Sequence, residues 1–148
     1  MKIKAIKLLA IFFLGAGTIF AQEMSETQVP SVIVNNFKKE FPKANDVEWE
    51  RQGDQYNVDF EIGRYKDYEA WFTASGMLIR YTEEISEGDL PKAVKDAVKN
   101  KYKGYRIDDA KKIIENGVET YNVEIEKGND ERDLIFSKNG DFIRVDND

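Results

Sequence analysis

The chain has 148 residues, with 28 acidic against 22 basic side chains and neither histidine nor cysteine. That length suits one ordinary domain or two small units that share a sheet. The missing residue types exclude Ser-His-Asp triads, thiol nucleophiles, disulfides, and imidazole or thiolate metal sites, and the acidic balance argues against a nucleic-acid binder.

In chain order, the first feature is a basic start, Lys2, Lys4 and Lys7, followed by an apolar run from Leu8 to Phe20 and the stretch "FAQE". This is the layout of a secretory signal peptide, and the run is shorter than the ~20 residues that span a bilayer. Cleavage is expected after Ala21, which makes residues 1–21 a signal peptide and 22–28 a linker. An N-terminal anchor that is never cut is the competing reading, because Ile19 is a loose fit three residues before the cut. Without residues 1–21 the chain keeps 19 basic and 28 acidic residues, a net charge of −9. The expected location is the periplasm or the medium. There, a chain without disulfides depends on burial and hydrogen bonding alone. The negative charge gives no electrostatic hold on anionic lipid, and it steers basic or mixed-charge partners inward.

Next, "VPSVIVNNFKKEF" predicts a helix. Pro30 suits its first turn, Ile33, Val34, Phe37 and Phe41 form one apolar stripe, and Pro42 stops it. "DVEWER" then alternates with Val47 and Trp49 on one side, so Trp49 is expected in the core. "QYNVDFEI" alternates strictly, with Tyr56, Val58, Phe60 and Ile62 on one face and Asn57, Asp59 and Glu61 on the other. That is the mark of a half-buried antiparallel strand. "YEAWF" sends Tyr68, Ala70 and Phe72 inward, "ASG" is a hairpin turn, and "MLIRYTEEI" ends the unit.

The same series then returns. "LPKAVKDAVKNKY" repeats the helix 61 residues on, with Val94, Ala97, Val98 and Tyr102 as its stripe and Gly104 as its stop. "DDAKKIIENG" reads as a strand turning at Asn116-Gly117. "TYNVEIEKG" repeats "QYNVDFEIG" at an offset of 65, and "FSKNGDFIR" repeats "FTASGMLIR" at an offset of 64. Three blocks in one order are an internal duplication, with repeats over 29–86 and 87–148. Two copies are too few for a solenoid. The expected fold is α+β: two tandem helix-plus-four-strand repeats forming an antiparallel sheet with helices on one face.

"FPKANDVEWERQGDQYNVDFEI" followed by "FTASGMLIRY" resembles the PepSY-like family, in its β-lactamase-inhibitor-like group. The second unit keeps "GVETYNVEI" and "FSKNG" but lacks the Phe-Pro and the tryptophan. The resemblance spans nearly the whole chain after the signal. It implies a secreted or periplasmic, non-catalytic protein whose helices cover one side of the sheet and whose other, concave side takes a protein partner. Inhibition of a β-lactamase is not carried over, because members that inhibit rely on disulfides and loop residues without counterparts here.

The open face is therefore the candidate site. Alternation sends Trp71 there beside Asp67, Glu69 and Thr73, and exposed aromatics anchor many interfaces. Asp59, Glu61, Glu69 and Arg80 flank it, and Tyr65 in the turn "GRYKD" is a rim residue. The bland readings are a solvated acidic face and a tryptophan filling a seam between the units. The acidic stretches "GNDERD" and "DND" lack calcium-loop spacing, so neither a metal nor a cofactor is expected. The leading expectation is a non-catalytic module that binds a protein or peptide of the cell envelope, and the alternative is a small molecule or envelope polymer on the same face. A hydrolase built on paired carboxylates ranks third. N-terminal sequencing of exported protein should start at Gln22, and an intact Met1 on membrane-bound material would overturn the signal-peptide reading.

Overall fold

Nine strands and two ten-residue helices make up residues 22–64 and 66–146, the part of the chain described by the computed structural model. The expected signal peptide and Tyr65 lie outside the described residues. The elements follow one another as β1 (Gln22–Met24), α1 (Ser31–Glu40), β2 (Ala44–Gln52), β3 (Gln55–Ile62), β4 (Asp67–Thr73), β5 (Leu78–Glu84), α2 (Lys92–Lys101), β6 (Arg106–Glu115), β7 (Val118–Lys127), β8 (Asp130–Ser137) and β9 (Phe142–Asp146). Every strand pairs antiparallel with the next in sequence, so one sheet runs from β1 to β9 without a crossover. The α+β architecture with two tandem helix-plus-four-strand units is as the sequence predicts. The segment 22–28, expected as a linker, instead holds β1 and a short 3-10 turn, and β1 adds a ninth strand on the edge of β2.

Local chemistry sets the boundaries. Pro30 and Pro91 sit extended just before the helices, where a missing N–H leaves nothing unpaired. Lysines in the last turns, Lys38 and Lys39 in α1 and Lys99 and Lys101 in α2, face the negative end of each helix dipole. Asn116 and Gly117 both take positive φ, as a tight two-residue hairpin turn needs. The hairpins after β4 and β8 end on Gly76 and Gly140, which also approach the helices. A Cβ on Gly140 would stand 2.4 Å from the Ala93 carbonyl oxygen, so only glycine lets this turn seat on α2. Gly76 does the same on α1, where the Asn36 amide donates to its carbonyl at 2.8 Å.

Each helix has its own core on the same face of the sheet. Ile33, Val34 and Phe37 of α1 pack on Trp49, Val58, Phe60, Ala70 and Phe72. Val94 and Val98 of α2 pack on Ala110, Tyr121, Val123, Ile125, Leu134 and Phe136. Phe37 is the hub of the first core, with ring centroids 5.2 Å from Trp49, 5.0 Å from Phe60 and 5.7 Å from Phe41. Between the cores the sheet continues through β5 and β6, with Tyr81 opposite Ile114 and Glu83 opposite Lys112. Burial would raise the Glu83 carboxyl, but hydrogen bonds from Lys112, Lys66 and Tyr68 hold it below the usual carboxylate range.

Phe37→Ala should cost ~3–5 kcal/mol, the usual loss for an aromatic removed from a packed interior. Urea unfolding measures it. A change below ~1 kcal/mol would contradict the hub role.

Candidate functional site

Among the described residues one face of the sheet carries no helix, and period-two alternation with cross-strand register fixes which residues share it. One row runs Glu50, Asn57, Trp71, Arg80, Glu115. The next runs Glu48, Asp59, Glu69, Thr82, Ile113, Thr120. Lys111, Asn122, Ile135 and Arg144 make a third. The first two rows cross the β5–β6 joint, so both repeats build this surface.

The face is recessed. Among the described residues no helix covers it, yet Asn57 is 1%, Ile135 3%, Thr82 6% and Ile113 6% exposed. Floor residues on such a face reach that degree of burial when neighbouring side chains lean over them. Two hollows result. One, of about 380 Å3, sets Asp46, Glu48, Asp59, Glu61, Asp67, Glu69 and Glu84 against a single base, Lys111. The other, of about 280 Å3, spans the joint and is lined by Glu69, Arg80, Thr82, Lys111, Ile113 and Asp146 among others.

Crowding of like charge sets the electrostatics. The Asp59 carboxyl is pushed up to about 6, first by partial desolvation and then by Glu69, Glu50 and Glu48. Glu84 is raised by desolvation and by Asp109 and Asp67. Asp133 is raised by desolvation and by Asp146 and Glu131. Trp71 is half-buried, and the Arg80 guanidinium carbon lies 4.7 Å from its ring centroid. The two stand directly opposite each other on β4 and β5, and the buried Arg80 Nε has no hydrogen-bond partner. Cation–π contact of this kind contributes ~0.5–2 kcal/mol, depending on desolvation. The Asn57 amide donates to Glu69 at 2.8 Å, which fixes the carboxylate at the meeting of the two hollows.

The structure thus places Trp71, Asp59, Glu61, Glu69 and Arg80 on one face and brings Asp59, Glu61 and Glu69 into one hollow. Tyr65 lies outside the described residues. Trp49 is core, as expected. Sequence reasoning missed Lys111, Thr82, Ile113 and Ile135. "AKKIIE" puts paired lysines beside paired isoleucines, so its period does not say which of each pair faces the helices. The Asp130 loop is internally satisfied, with Arg132 and the Tyr105 hydroxyl holding its carboxyl down at about 2. Among the described residues, no cluster of acidic side chains is placed to hold a metal ion.

A raised carboxyl means that the folded state binds the proton more tightly than the unfolded chain, so ionising Asp59 disfavours folding. Asp59→Asn should therefore raise the melting temperature at pH 7. The gain should shrink as pH falls through about 6 and vanish below 3.8, the value of an unperturbed aspartate. A gain independent of pH would contradict this assignment.

Comparison with known proteins follows the same lines. The family described as "Putative beta-lactamase-inhibitor-like, PepSY-like" matches over residues 19–64 and 54–144. No curated protein matches. The fold is similar to that of a BLIP-like protein from Bacteroides fragilis, with a TM-score of 0.70 and 26% identity over 79% of this chain and 84% of that one. It is also similar to a DUF2874 family protein from Bacteroides uniformis, with a TM-score of 0.71 and 21% identity over 79% and 88% of the two chains. A third likeness, described as "putative periplasmic proteins", comes from Bacteroides eggerthii, with a TM-score of 0.72 and 18% identity over 80% and 88%. The duplicated helix-plus-four-strand unit, read from the sequence and present in the sheet, is thus accounted for: the chain belongs to the PepSY-like, β-lactamase-inhibitor-like family.

Proposed function

We propose that this protein is a non-catalytic binding module of the periplasm or medium that takes a basic protein or peptide on its helix-free sheet face. The observation that carries the reading is the recessed face itself, where a half-buried Trp71 stacked on Arg80 shares the sheet surface with a hollow of seven carboxylates and one lysine. Crowded carboxylates with raised pKa values are costly in the free protein, and a cationic partner relieves that cost on binding. Trp71 supplies the apolar contact that charge alone does not. The export layout of residues 1–21 and the periplasmic description of a structural relative support the location. The absence of histidine and cysteine from the sequence supports a role without catalysis.

Capture from envelope extract on immobilised protein, followed by titration of the captured partner, tests the proposal. Trp71→Ala should weaken binding by ~2 kcal/mol or more, as hot-spot aromatics do. It should shift urea stability by less than ~1 kcal/mol, because the side chain is only half-buried. Binding should fall as salt rises. Capture of a neutral glycan or small molecule that salt does not disturb would favour the polymer reading. A partner indifferent to both Trp71→Ala and salt would move the site off this face.

A further inference from the structure

The hollow over the joint carries a chemistry that the acidic hollow beside it does not. Thr82 of β5 and Ile113 of β6 stand opposite each other and are each 6% exposed, so they form a buried floor. A cation flanks that floor on either side along the strands. Arg80 lies two residues before Thr82, and Lys111 lies two residues before Ile113, which in an antiparallel pair puts them at opposite ends. All four line the hollow of about 280 Å3. That volume is just under the ~300–1,000 Å3 of most small-molecule sites, so it suits a single residue.

Neither cation is matched to an acid. Among the described residues Arg80 and Lys111 make no salt bridge, although carboxylates surround them. Arg80 is held by the Trp71 ring, and its buried Nε has no hydrogen-bond partner. Contact with the ring covers the flat face of a guanidinium and leaves the in-plane N–H groups of its terminal nitrogens to be satisfied at the edge. A partly desolvated guanidinium without a counter-charge is unfavourable, and an anion in the hollow offsets that. Lys111 only eases Asp59, Glu84 and Asp133 at longer range, and all three stay raised. A forked donor and a point charge on either side of one floor are suited to a carboxylate.

The surroundings limit what else the ligand carries. In the floor's own row, Glu69 faces Thr82 and Asp59 faces Glu69. With neighbouring strands ~4.8 Å apart, these two stand roughly 5 and 10 Å from the floor. The Asn57 amide holds the Glu69 carboxylate in place at 2.8 Å. A bare anion would meet Glu69, Glu124 and Asp133 around the same hollow, so the ligand needs a positive group as well. The four-carbon stem of lysine carries its ammonium roughly 6 Å from Cα, so one basic residue with a free α-carboxylate spans both demands. A free basic amino acid would add an α-ammonium beside Arg80 and Lys111, and a peptide bond removes that charge.

We infer that the joint hollow binds the last residue of a peptide chain that ends in lysine or arginine. Its α-carboxylate lies between Arg80 and Lys111 over the Thr82–Ile113 floor, and its side-chain cation reaches toward Glu69 and Asp59. The inference rests on the binding-face reading and narrows it from a basic partner to a basic C-terminus. An internal lysine lacks the carboxylate, and a neutral or acidic C-terminus lacks the cation, so one residue is recognised from both ends. Both repeats are needed, since Arg80 and Thr82 come from the first and Lys111 and Ile113 from the second.

NMR titration of the chain from Gln22 to Asp148 with the peptide acetyl-Ala-Ala-Ala-Lys tests it, the peptide taken once as the free acid and once as the C-terminal amide. The free acid should bind at least ~tenfold more tightly than the amide and shift the Ile113 methyl and Trp71 indole signals. Ending the peptide in alanine should cost a similar factor. Lys111→Gln should cut the preference for acid over amide to below ~threefold, and it should tighten binding of the amide, because it removes a positive charge from an acidic face. Arg80→Gln should do the same. Lys111 is exposed, so its variant decides should Arg80→Gln melt lower. Equal binding of acid and amide would overturn the inference, and the basic-partner reading would survive it if both peptides shift this face and yield to salt. An acid preference that persists in both variants, or no binding of either peptide up to roughly 10 mM, would overturn the inference too. Capture from envelope extract then judges the face reading by itself, since it requires no free C-terminus.

Discussion

The β5–β6 ladder is the constraint on which the molecule depends. Each repeat has its own apolar core under its own helix, and among the described residues no third core joins them. What makes two small units one sheet is five backbone-paired positions, from Arg80–Glu115 to Glu84–Lys111. Glu83 stands in that joint on the helix side, 91% buried, with Lys66 at 3.1 Å and Lys112 at 2.7 Å. A buried acid with two cations and a tyrosine hydroxyl is satisfied only when both units are in place, because Lys66 comes from the first and Lys112 from the second. It contributes little net stability beyond what an apolar seam would, but it penalises any other register of β5 on β6.

Register at the joint in turn decides the face. A slip of one residue would turn Ile113 and Lys111 of β6 to the helix side while Thr82 and Arg80 of β5 stayed on the open face, and so divide the recess. In the observed register, the acidic row of the first unit meets Lys111 of the second, and the second hollow opens directly over the joint. The recess belongs to the pair of units and to neither alone, so the duplication shapes the open face as well as adding burial.

The duplication, the helix stripes and the inward strand residues were legible in the sequence because each rests on local periodicity. Phe37, Val58, Phe72, Val94 and Val123 all lie where alternation or helical spacing puts them. So was the side of the sheet on which Trp71 and Arg80 sit. β1 was not legible, since "QEM" has no pattern of its own and becomes a strand only by pairing with Arg51, Glu50 and Trp49. The buried floor of the open face was equally hidden. Ile113 and Ile135 are buried among residues brought alongside by strand pairing across the sheet, which no short window of sequence encodes. Burial of Asn57 and Thr82 on a face that reads as polar has the same origin.

Two carboxylates with opposite shifts separate the face from the fold. Asp59 titrates near 6, so it takes up a proton in mild acid and its ionised form opposes folding. Glu83 is held below the ordinary carboxylate range by its cations, so its ionised form supports folding and is lost only in stronger acid. As pH falls from neutral, the hollow around Asp59 therefore loses charge first, with relief of repulsion among Glu48, Glu50 and Glu69, while the joint keeps its ion cluster. A cationic ligand held by that charge would weaken across a range in which the sheet itself is undisturbed. The carboxylate that answers to mild acid lies on the face, and the one that holds the units together does not.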